Sequence, residues 1–85
     1  NEAAPWLDLA NNMKSQENYA MADRAYREAF KSEGTNAQIL WDHATMLQEL
    51  GRHAEARKLL QQIVNTPWQP RFQHYKSQAE EALRN

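Results

Sequence analysis

Apolar and small residues recur along this chain at helical spacing in four successive stretches. Trp6, Leu9, Ala10 and Met13 fall at i, i+3, i+4 and i+7. Ala22, Ala25, Tyr26, Ala29 and Phe30 make a second such face. Leu40, His43, Ala44 and Leu47 repeat the first, and Ala56, Leu59, Leu60, Ile63 and Val64 repeat the second. No run of alternating β-branched residues suggests a strand. Punctuation agrees with the periods. Gly34 follows a stretch that ends near Ser32, and Thr35-Asn36 offers an N-cap to what comes next. Gly51 stands at a C′ position between two helices. The pattern predicts five helices, at about 3–15, 19–32, 36–50, 53–66 and 70–84. Connections this short make neighbouring helices antiparallel.

The chain also matches itself at an offset of 34 residues. Ala3 falls on Ala37, Asp8 on Asp42, Ala10 on Ala44, Ala20 on Ala54 and Ala22 on Ala56. Sizes are kept around these identities: Trp6 falls on Leu40, Met13 on Leu47, Tyr19 on His53, Tyr26 on Leu60 and Phe30 on Val64. A period of this length marks a helix-turn-helix repeat array, and such arrays are binding scaffolds far more often than enzymes.

In these residues the chain resembles the tetratricopeptide repeat family. Residues 3–36 make one unit, with Trp6, Leu9, Ala10 and Met13 in its first helix and Tyr19, Ala22, Tyr26 and Ala29 in its second. Residues 37–70 make another, through Leu40, Ala44, Leu47, Gly51, Ala56, Leu60 and Ile63. Ala10, Ala22, Ala44 and Ala56 let paired backbones approach closely. There are departures. Glu17 stands where the family's interhelical glycine is usual, His43 replaces a leucine, His53 replaces an aromatic, and Pro67 comes one residue early. The stretch 70–84 fits only with a one-residue shift that puts Tyr75, Gln78, Ala79 and Ala82 in first-helix places. It reads as a polar capping helix, with Gln73, Lys76, Glu80 and Arg84 outward. The expected fold is all-α: two such repeats plus a C-terminal capping helix, stacked as a right-handed superhelix in one domain over 1–85. The opening Asn-Glu-Ala-Ala-Pro looks like a cut boundary in a longer protein.

Composition narrows function by exclusion. Ten Lys and Arg against eleven Asp and Glu, interspersed, form no basic stripe for nucleic acid. The absence of cysteine removes disulfides and thiolate metal sites but leaves the compartment open. No apolar run approaches the roughly 20 residues of a membrane span. His43, His53 and His74 lie on three different predicted helices, with no spacing that puts two ligands on one face. Glu80 and Glu81 are adjacent, so on a helix they point about 100° apart. No Gly-rich phosphate loop and no Ser-His-Asp arrangement occurs. The expectation is a non-enzymatic chain without metal or cofactor.

The resemblance implies a protein or peptide partner, held in a shallow groove lined by the inner helices 3–15 and 36–50. Groove candidates are Leu7, Asp8, Asn11, Lys14, Gln38, Trp41, Asp42, Thr45 and Gln48. Asp8 and Asp42 share one repeat position, on or near the family's concave face. The competing reading is a solvated charge that favours the helix dipole. Trp41, one place past Leu40, either faces the groove as an anchor or packs under the shifted final helix. A chaperone-tail clamp, as one subclass of the family carries, is disfavoured: only Asn11 matches it, with Lys76 as the candidate for a second match, and Asp42 would repel a carboxylate. Two alternatives to peptide binding are a structural or oligomer-forming role and an accessory domain of a larger assembly or enzyme, for example in a bacterial envelope.

Overall fold

The computed structural model describes residues 4–84. The Ala3–Ala37 identity and a helix start at residue 3 therefore fall outside the described residues. The elements are α1 (Ala4–Ser15), α2 (Tyr19–Ser32), α3 (Ala37–Glu49), α4 (His53–Asn65), a 3-10 turn (Pro70–Phe72) and α5 (Gln73–Arg84). Among the described residues there is no strand. The fold class is all-α, as the periodicity predicts. The chain divides into two compact units, Asn1–Gly34 and Thr35–Asn85.

In the first unit α1 packs on α2. Ala10 and Ala22 are fully buried, as close backbone approach requires. Tyr26 is 1% exposed, and its hydroxyl donates to Asn11 Oδ1 at 2.8 Å. That bond satisfies a phenol which burial would otherwise strand. Asn18 caps α2, its side chain accepting from the Met21 amide at 3.5 Å.

The expected packing role of Trp6 is corrected. Its indole is 38% exposed. It stands beside a cavity of about 210 Å3 together with Leu9, Met21, Arg24, Ala25 and Glu28. The small Ala25 and the flexible Met21, itself 41% exposed, leave that space unfilled.

In the second unit α4 packs on both α3 and α5. Ile39, Leu40, Ala44, Met46, Leu47, Ala56, Leu60, Ile63 and Ala79 are buried. Asn36 caps α3, accepting from the Gln38 amide at 3.0 Å. His43 is buried in the leucine-like place. His53, which stands in the place of an aromatic, is exposed, whereas its counterpart Tyr19 is half-buried. Both open a helix, where the imidazole has less apolar area to gain by burial than the phenol ring.

The join to α5 is sealed by Trp68, as its place between Pro67 and Pro70 suggests. Trp68 is buried, donates from Nε1 to the Ile63 carbonyl at 2.6 Å, and meets Phe72 edge-on with ring centroids 6.4 Å apart. Gln73 Nε2 donates to the Trp68 carbonyl at 2.9 Å. The final helix thus starts later than position 70. Pro70 opens a 3-10 turn, suiting a residue with no N–H to give, and α-helical bonding begins at Gln73.

Gly51 is left-handed, with φ 78°, and among the described residues Glu17 is left-handed too, with φ 60°. α2 ends through Glu33, which leaves the helix with φ −140° and ψ 71° yet still donates its N–H to Ala29 O at 2.9 Å. A left-handed residue is not needed there.

Candidate protein-binding surface

On α1, Asp8 and Asn11 are exposed, while Leu7 and Lys14 are half-buried. Asn11 is oriented by the Tyr26 hydroxyl. It therefore helps to hold the helix pair as well as standing on the surface.

On α3, Gln38 and Gln48 are exposed, and Trp41, Asp42 and Thr45 are half-buried. Thr45 Oγ1 donates to the Trp41 carbonyl at 2.9 Å, a bond back to the preceding turn. Trp41 meets the final helix. Its ring centroid lies 6.3 Å from that of Tyr75 on α5, tilted by 45°. Tyr75 in turn lies 6.4 Å from Phe72 and 4.0 Å from the His74 ring. Trp41 remains half-buried.

Asp42 belongs to the same cluster. Burial of the Tyr75 hydroxyl, and after it the charge on Asp42, push the Tyr75 pKa above its ordinary value of 10.0. Both causes penalise a phenolate. The phenol stays neutral at physiological pH.

Tyr75 and Phe72 were not among the sequence candidates. A signal for Tyr75 exists: Trp41 and Tyr75 are themselves 34 residues apart. The one-residue shift that fits the last helix to the repeat hides that equivalence.

Among the described residues no group of three or more His, Cys, Asp or Glu could hold a metal ion. No described helix is long and apolar enough to cross a membrane.

The family of YpiA-like, C-terminal tetratricopeptide repeats matches residues 4–68. The chain is also 32% identical over 60 residues to human general transcription factor 3C polypeptide 3, covering 71% of this chain and 7% of that protein. The chain thus spans a small fraction of that relative's length. No solved structure matches.

Proposed function

The chain belongs to the tetratricopeptide repeat family, whose repeats generally mediate protein–protein interaction and are typically non-enzymatic, and from that premise we propose that it binds a peptide or helix of a protein partner through the exposed face of α3, the repeat-equivalent α1 offering a second such face. The contributing residues are Leu7, Asp8, Asn11 and Lys14 on α1, and Gln38, Trp41, Asp42, Thr45 and Gln48 on α3. The observation that carries this reading is the state of Trp41. It is half-buried, with its ring against that of Tyr75 and Asp42 next to it in sequence. An aromatic side chain already ordered loses little entropy on binding, which suits it to be an anchor. The adjoining carboxylate favours a neutral-to-basic segment with one apolar side chain, which the indole face would receive.

A peptide-display selection against the 85-residue chain tests this. Enriched peptides should pair an apolar anchor with Lys or Arg, and Trp41→Ala should weaken them by about 2 kcal/mol. Asp8→Asn with Asp42→Asn should mainly slow association and flatten its salt dependence. Enriched peptides that bind Trp41→Ala and the double variant at wild-type affinity would remove these faces from consideration.

A further inference from the structure

The second unit holds an open surface hollow of about 410 Å3, lined by the exposed Gln48, His53 and Arg57 and the half-buried Ala82. Local structure explains its walls. The left-handed Gly51 reverses the chain so that Gln48, in the last turn of α3, and His53, which opens α4, flank the same turn. His53 and Arg57 are four residues apart and share a face of α4. α5 contributes Ala82, whose single methyl group leaves the space open.

The chemistry of the lining has one sign. Arg57 is a permanent cation with a planar set of donors, Gln48 brings an amide donor, and His53 brings a ring that can donate. No carboxylate lines the cavity. Glu49 and Glu81 adjoin Gln48 and Ala82 in sequence, but the next residue on a helix points about 100° away. Glu55, on α4 with His53 and Arg57, is paired to Arg52 at 2.9 Å. Arg57 has no ion pair among the described residues.

We propose that this cavity receives the carboxylate of a Glu or Asp side chain from an acidic peptide segment of a protein partner. Arg57 carries the charge recognition, Gln48 and His53 add donors, and the small Ala82 gives the side chain room to enter. The site is opposite in charge preference to the surface around Trp41 and Asp42, with which it shares only Gln48, and its charge recognition rests on Arg57 rather than on that surface.

The probe is a blocked tetraglutamate peptide, titrated into the isotopically labelled 85-residue chain and followed by NMR at the Arg57 Nε–H, the Gln48 amide and the His53 ring. Blocked tetraglutamine and sodium acetate serve as comparators. Tetraglutamate should shift these signals saturably, and tetraglutamine should not. Arg57→Gln should weaken the tetraglutamate affinity about tenfold, the scale of one charge-assisted hydrogen bond. Ala82→Leu should block entry, and Lys58→Gln, an exposed change on α4 outside the lining, should have little effect. Circular dichroism on each variant checks that the helices are kept. The proposal is overturned if the shifts do not saturate, if tetraglutamine or acetate reproduces them at the same concentration, or if a folded Arg57→Gln binds tetraglutamate as tightly as Lys58→Gln.

Discussion

Glu17 and Gly51, 34 residues apart, close two helices with the same left-handed turn. Glu17 N–H donates to Lys14 O at 3.0 Å and Asn18 N–H to Met13 O at 2.8 Å. Gly51 N–H donates to Gln48 O at 3.0 Å and Arg52 N–H to Leu47 O at 2.8 Å. Both are the paired bonds of a Schellman motif, with φ of 60° and 78° at the C′ residue. A side chain in that region costs roughly 1–2 kcal/mol that glycine avoids.

Glu17→Gly should therefore raise stability by about 1 kcal/mol, and Gly51→Ala should lower it by a similar amount. A Cβ at Gly51 would meet nothing within 4 Å, so its cost is backbone strain alone. Thermal melts of the two variants should move in opposite directions.

The alanines at the helix contacts should tolerate no growth. Ala10, Ala22 and Ala56 are all 0% exposed. Ala10→Leu or Ala56→Leu should cost on the order of 1–3 kcal/mol by overpacking. Chemical denaturation would show a lowered midpoint in each; unchanged midpoints would mean that these positions have room.

Tyr26→Phe should cost about 1 kcal/mol through loss of the bond to Asn11. Asn11→Ala should cost about as much, and the double variant should cost less than the sum, because both changes remove one interaction. Urea titrations of the four proteins give the coupling directly.

High pH should expose the Tyr75 cluster. Its folded pKa lies above the ordinary 10.0, chiefly through burial and second through Asp42. The folded state thus holds this proton more tightly than the unfolded chain does. The resulting stabilisation is fully present below pH 10.0 and is lost as pH rises through the folded pKa. The phenolate absorbance that Tyr75→Phe removes should titrate late. Asp42→Asn should bring it partway back towards 10.0, and Trp41→Ala, by uncovering the ring, should bring it back as well.

Much of this architecture is legible from the pattern of residues alone. Helical spacing and the 34-residue self-match identify the elements, the repeat and the alanines at the helix contacts, because those features record which face of each helix must be apolar and which positions must be small. Gly51 is legible for the same local reason: one residue type alone occupies its backbone conformation without strain. Tertiary structure decided the rest. Glu17 is left-handed because the helix pair it joins demands the turn, whatever residue stands there. Trp41 is held by Tyr75 because α5 returns across α3, which no period within α3 announces. Trp6 and His53 occupy packing positions and are nonetheless exposed, since burial depends on what the neighbouring helix brings to meet them. The cavity of Gln48, His53, Arg57 and Ala82 joins three helices, so its residues share a site only once the chain has folded. Periodicity is a property of one helix at a time; the cover over each side chain is a property of pairs.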